Sequence, residues 1–149
     1  MLSPVNTGGA AGLSGVPFSG YREMAMARVL VIDDDLFVRR TVAYLLQALG
    51  HETAEAENGL EGVRMQRTQR FDMVITDMVM PVQDGLVTIQ MLKHEFHHLP
   101  IIAMSGGCPA HGQARLADAS LAGAMVTLTK PFTTEDLVAA MLKCQGYGE

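Results

Sequence analysis

Apolar and polar positions follow two rhythms along this chain. Val29-Leu30-Val31-Ile32, Met73-Val74-Ile75 and Leu99-Pro100-Ile101-Ile102-Ala103-Met104 are short aliphatic runs without alternation. Such runs suit strands buried on both faces of a sheet. Between them, apolar residues recur three and four apart, the spacing of a helix with one buried face. Val38, Val42, Leu45 and Leu49 define the first helix, with Asp35 as its N-cap and Gly50 just past its end. Leu86, Ile89, Leu92 and Phe96 define the third helix, with Asp84 in the capping place. Leu137, Ala140, Met141 and Cys144 define the fifth. Thr133 caps it, Asp136 stands at N3, and Phe132 with Leu137 forms a hydrophobic staple.

The remaining segments carry weaker signals. His51–Glu57 is polar at every second position, as in an edge strand. Asn58-Gly59 reads as a turn into a helix near Leu60–Gln69, in which Gly62 costs about 1 kcal/mol relative to Ala. His111–Ala122 is an Ala-rich fourth helix, and Met125–Thr129 a fifth strand closed by Lys130-Pro131. Five strands thus alternate with five helices. That order predicts a doubly wound parallel α/β sheet with right-handed crossovers and helices on both faces.

The same order assembles a candidate site. The first strand, Arg28–Asp33, runs into Asp33-Asp34-Asp35; the third ends at Asp77, the fourth runs into Ser105 and the fifth into Lys130. These residues follow their strands directly and share the carboxyl edge of the sheet, where open α/β folds place ligands.

Composition narrows the reading. The chain has 149 residues, 48% hydrophobic with no Trp, which predicts one domain with an aliphatic, Met-rich core. Residues 1–26 are rich in Gly, Ala, Ser and Pro without sustained period and read as a flexible extension, leaving 27–146 as the domain. Met24 and Met26 offer alternative starts for the native chain. A net charge of −5, with Arg39-Arg40 only a pair on a helix, argues against a nucleic-acid surface. No run approaches the roughly 18 apolar residues of a membrane helix, and the start lacks a signal-peptide pattern. Cys108 and Cys144 have no metal-ligand spacing, in keeping with a reduced, cytoplasmic protein. His94, His97 and His98 read as a solvated helix end rather than a metal nest.

Clustered carboxylates repel one another unless a cation is present. Adjacent Asp33 and Asp34 suit a divalent metal, while Asp77 stands alone and is free to act as nucleophile. Lys130 and Ser105 can neutralise and hydrogen-bond phosphoryl oxygens. Asp35 and Asp84 read as helix caps rather than ligands.

Val29–Asp35, Asp77-Met78-Val79-Met80-Pro81-Val82-Gln83-Asp84-Gly85, Ser105-Gly106, Gly123-Ala124 and Lys130-Pro131-Phe132 together resemble the receiver domain of two-component response regulators, the CheY-like family. The resemblance spans about residues 27–145. It implies the flavodoxin-like strand order 2-1-3-4-5 and a cis Lys130–Pro131 bond. It implies that Asp77 accepts a phosphoryl group from a sensor histidine kinase or a histidine phosphotransfer protein. Asp33, Asp34, Asp77 and the backbone carbonyl of Val79 would hold Mg²⁺, with Mn²⁺ as a substitute, and Ser105 and Lys130 would bind the phosphoryl group. Such a domain assists its own phosphorylation and dephosphorylation without turning over a separate substrate. It signals to a downstream protein through its fourth helix, fifth strand and fifth helix, with no nucleic acid or membrane involved. Such a receiver either acts alone or forms part of a larger protein.

Two departures bear on signalling. Thr127 stands three residues before Lys130, where the family usually has Tyr or Phe. The stretch from Ser105 to Gly123 is a few residues longer than is common, and its Gly106–Gly112 segment becomes the expected switch element. Two alternatives are an aspartyl phosphatase of the haloacid dehalogenase type, suggested by Asp33-Asp34-Asp35, and a receiver-like interaction module that is never phosphorylated. The phosphatase reading needs a further acidic pair after Lys130, where Asp136 is the only aspartate, and a cap domain for which there is no room.

Overall fold

A computed structural model describes residues 25–80, 82–106 and 109–146, giving the backbone alone over 109–114. The expected extension lies almost wholly outside the described residues. The strands are β1 (Arg28–Ile32), β2 (Glu52–Ala56), β3 (Met73–Asp77), β4 (Ile101–Ser105) and β5 (Val126–Thr129). The helices are α1 (Leu36–Ala48), α2 (Gly59–Gln69), α3 (Gly85–Glu95), α4 (Pro109–Ala122) and α5 (Thr134–Cys144). The strands form one parallel sheet in the order β2-β1-β3-β4-β5, as the motifs imply.

Alternation along each strand sends side chains to opposite faces. Leu30, Ile32, Val74, Ile101 and Ala103 pack with Val63 of α2, Ile89 and Leu92 of α3 and Ala119 of α4. Val29, Val31, Met73, Ile75, Ile102 and Met104 pack with Val42 and Leu46 of α1 and Leu137, Ala140 and Met141 of α5. Burial of both faces explains the unbroken aliphatic runs of β1, β3 and β4. Polar β2 sits at the sheet's edge.

Helix ends follow local chemistry where their side chains are free to serve it. Asp35 accepts from the N–H groups of Phe37 and Val38 at 2.9 and 3.2 Å. Thr133 and Asp136 form a reciprocal capping box on α5. Three expectations change. Asn58 does not merely turn the chain: it is the N-cap of α2, accepting from Glu61 N–H at 2.8 Å, so the helix begins at Gly59. Asp84 occupies the N-cap position of α3 but makes no side-chain cap bond. Its Oδ2 lies 3.8 Å from Arg115 of α4, and its Oδ1 is buried without a hydrogen-bond partner. Helix α4 also starts two residues earlier than His111, at Pro109, a favoured first residue for a helix because proline lacks the N–H that would go unpaired there. Gly62 has a packing reason: a Cβ there would lie 2.4 Å from Ile32 Cδ1, so its lower helix propensity permits close approach of α2 to β1.

Candidate functional site

Strand register brings the acids together. Ile32 pairs with Thr76 across β1 and β3, so the next residues, Asp33 and Asp77, emerge side by side at the sheet's carboxyl edge. Both are buried, whereas Asp34 is exposed. One carboxylate oxygen from each of Asp33, Asp34 and Asp77 lies within 4.8 Å of the others. Among the described residues this is the only such group of three potential ligands. His94, His97 and His98 are exposed and form no such group.

Ser105 pairs with Thr129 across β4 and β5, and its carbonyl accepts the Lys130 N–H at 2.7 Å. That bond fixes the start of the Lys130 side chain, whose ammonium reaches Asp77 Oδ1 at 2.8 Å and Asp33 Oδ2 at 3.1 Å. The Lys130–Pro131 bond is cis. Asp77 Oδ2 accepts the Val79 N–H at 3.3 Å, and Asp33 Oδ1 accepts the Asp35 N–H at 2.9 Å. Gly85 packs beneath the site: a Cβ there would stand 2.3 Å from the Asp77 carbonyl oxygen.

The electrostatics are balanced between burial and pairing. Burial pushes the Asp77 carboxyl above its usual range, against the pull of the Lys130 hydrogen bond and charge. Burial likewise favours neutral Lys130, but Asp77 and Asp33 outweigh it and hold the ammonium above its ordinary value. Ser105 is 1% exposed, and its hydroxyl has no hydrogen-bond partner. A buried donor left unpaired costs about 1–3 kcal/mol, so the orphan hydroxyl fits a site built to meet another oxygen. Together, the oxygen donors suit Mg²⁺, and the lysine and hydroxyl suit phosphoryl oxygens.

Sequence reasoning missed the supports of this cluster. Arg39 donates from Nη1 to the Asp33 carbonyl at 2.8 Å and from Nε to Glu55 Oε1 at 2.9 Å. It also missed a cleft of about 760 Å³ beside Asp77 and Lys130. Phe37, Val38 and Thr41 of α1 line one side, with Pro131 and Phe132 opposite. Phe37 was visible only as an apolar residue off the helix's core stripe, a weak signal. Thr127 is half-buried on β5 opposite Ala103. Gly107, Cys108 and the side chains from 109 to 112 lie outside the described residues, so the expected switch segment is described only in part.

A doubly wound α/β domain with an acid, hydroxyl and lysine cluster at the carboxyl ends of its strands is the class that fold and site define. The family model of the response regulator receiver domain matches residues 29–142, and the chain belongs to that family. It is 34% identical over 118 residues to chemotaxis protein CheY of Bacillus subtilis, covering 78% of this chain and 95% of that protein. It is 33% identical over 114 residues to the response regulator MprA of a Mycobacterium species, covering 76% of this chain. The chain spans only 48% of that relative's length. A receiver domain protein of Clostridium thermocellum superposes with a TM-score of 0.71 at 32% identity, covering 80% of this chain and 94% of the other. Chemotaxis protein CheY4 of Vibrio cholerae superposes with a TM-score of 0.70 at 30% identity, covering 80% of this chain and 99% of the other. The chain is therefore a two-component receiver domain, a signalling module, and not a haloacid dehalogenase-type phosphatase. Among the described residues, no helix is long and apolar enough to cross a membrane.

Proposed function

We propose that Asp77 accepts a phosphoryl group from a phosphohistidine on a sensor kinase or phosphotransfer protein. The domain, residues 27–146, then signals by changing its protein contacts. The observation that carries this reading is Lys130 bridging Asp77 and Asp33 beside the unpartnered Ser105 hydroxyl. Asp33, Asp34, Asp77 and the Val79 carbonyl would hold Mg²⁺ or Mn²⁺. The bound cation would supply positive charge to the phosphoryl oxygens and relieve repulsion among the acids.

A carboxylate oxygen of Asp77 attacks phosphorus, the phosphorus–nitrogen bond to the donor imidazole breaks, and an acyl phosphate forms on Asp77. The donor histidine keeps the electron pair of the broken bond and takes a proton, leaving as neutral imidazole. Lys130 shifts its ammonium from the carboxylates towards the new phosphoryl oxygens, and Ser105 donates its hydroxyl to another. The cleft between Phe37 and Phe132 is the approach to Asp77. Water attacking the same phosphorus breaks its bond to the Asp77 oxygen, releases inorganic phosphate and returns Asp77 to its carboxylate; on this reading the chain is a cytoplasmic, self-assisting phosphoacceptor rather than an enzyme with separate turnover. The face formed by α4, β5 and α5 carries the signal to a downstream protein, with no role for nucleic acid or membrane.

Intact mass after incubation with acetyl phosphate and Mg²⁺ tests the proposal. Wild type should gain one phosphoryl group, and Asp77→Asn none. An unmodified wild type would leave the reading as a receiver-like interaction module. A normal gain in Asp77→Asn would move the acceptor elsewhere.

A further inference from the structure

We propose that Arg39, held by Glu55, is a positioning residue for the metal site: it fixes the backbone of Asp33. The inference rests on the reading of Asp33, Asp34 and Asp77 as a Mg²⁺ site. Asp33 lies just past the end of β1, where the β1–β2 ladder is making its last bond, Asp33 N–H to Ala56 carbonyl at 3.2 Å. Beyond that point the chain leaves the sheet, and nothing in the ladder holds the Asp33 carbonyl. Arg39, one helical turn into α1, takes it at 2.8 Å. With Asp35 N–H on Oδ1 and Lys130 on Oδ2, every polar group of Asp33 is held.

Arg39 is itself oriented. Its side chain is 12% exposed, and its Nε donates to Glu55 Oε1 at 2.9 Å, an oxygen shared with Arg40 Nε at 3.1 Å. Glu55 sits on the edge strand β2, so the chain of contacts runs from β2 through α1 to the first acid of the site. A guanidinium can donate from two nitrogens at once in fixed geometry, which an ammonium on a flexible stem cannot reproduce. Groups that orient ligands from behind commonly alter metal affinity about 10–100-fold when lost.

Charge and positioning predict opposite signs here, which makes the inference testable. By charge alone, a cation beside the site repels a second cation, so removing Arg39 would tighten metal binding. By positioning, removal loosens it. The test measures Mn²⁺ binding by electron paramagnetic resonance, alongside urea unfolding in chelator. Arg39→Gln and Arg39→Lys should each weaken Mn²⁺ binding about tenfold, the lysine failing to rescue despite its charge. Glu55→Gln, the milder change, should weaken binding by a smaller factor and add nothing further in the Arg39→Lys background. Unchanged or tighter binding in Arg39→Gln would overturn the proposal, as would full rescue by lysine. A loss of metal-free stability without loss of affinity would also overturn it, leaving Arg39 a structural residue. If wild type itself bound no Mn²⁺, the metal reading would fail first, a result distinct from all of these.

Discussion

Deleting the Lys130 ammonium tests the electrostatics of the site most directly. Lys130→Met keeps an apolar stem of similar volume but leaves Asp77 Oδ1 and Asp33 Oδ2 without donors now at 2.8 and 3.1 Å. Removing one partner of a buried ion pair costs about 3–5 kcal/mol. Here the lysine side chain is 22% exposed, and the carboxylates keep bonds from Asp35 N–H and Val79 N–H. Those offsets bring the expected loss to about 2–3 kcal/mol in chelator at neutral pH. A cation that binds only the folded chain contributes about 2.7 kcal/mol at a hundredfold excess over Kd. Saturating Mg²⁺ should therefore return the variant to about the metal-free stability of wild type, and the variant should gain more from Mg²⁺ than wild type, because no ammonium competes for the same oxygens. Acid should help as well. Burial, opposed by Lys130, already raises the Asp77 carboxyl, and losing the lysine raises it further. A carboxyl raised in the folded state contributes stability that is complete below its ordinary value and lost as pH rises through the raised value. The variant should thus recover stability relative to wild type as pH falls from neutral towards the carboxylate range. Urea unfolding followed by circular dichroism, with and without Mg²⁺, measures each quantity. A loss below about 0.5 kcal/mol, the range of an ordinary surface change, or equal Mg²⁺ gains in both proteins, would refute the reasoning.

Further expectations concern regions around the site. Gly85→Ala would place a methyl 2.3 Å from the Asp77 carbonyl oxygen and 2.6 Å from Met78 Cα. Those are backbone atoms that cannot turn aside, so we expect a loss of about 3 kcal/mol, read as a lower melting temperature; unchanged melting would contradict the packing. His51 Nδ1 accepts the Ala27 N–H at 3.0 Å, and burial lowers the imidazole pKa from its usual 6.5. A depressed pKa gives stability that is present above the unfolded value and lost as pH falls through the folded one. His51→Asn, which keeps an acceptor without titrating, should flatten that acid loss, and parallel melting profiles would sink the idea. With a beryllofluoride mimic, hydrogen exchange should change over residues 106–116 and stay constant around Thr127, whose short β-branched side chain cannot swing as an aromatic does. The reverse pattern would place the switch in β5.

The sequence by itself determined the element order and the edge that carries the site. Aliphatic runs such as Val29–Ile32 and Met73–Ile75 can be satisfied only by burial on both faces, and that forces alternating strands and helices. Caps made within a few residues were legible for the same local reason, as at Asp35 and Thr133. Tertiary structure decided what depends on distant partners. Only the Ile32–Thr76 register sets Asp33 beside Asp77, and only the β4–β5 pairing aims Lys130 at both acids. Asp84 has the spacing of a cap, yet its carboxylate makes no cap bond and lies nearer Arg115 of another helix, at 3.8 Å. In sequence Arg39 is only half of a basic pair on a helix; in the fold β2 places Glu55 against it, and the chain's exit from β1 leaves a carbonyl for it to hold. Spacing along the chain encodes contacts within a turn or a ladder, whereas these contacts form between segments that only the packed sheet brings within hydrogen-bond reach.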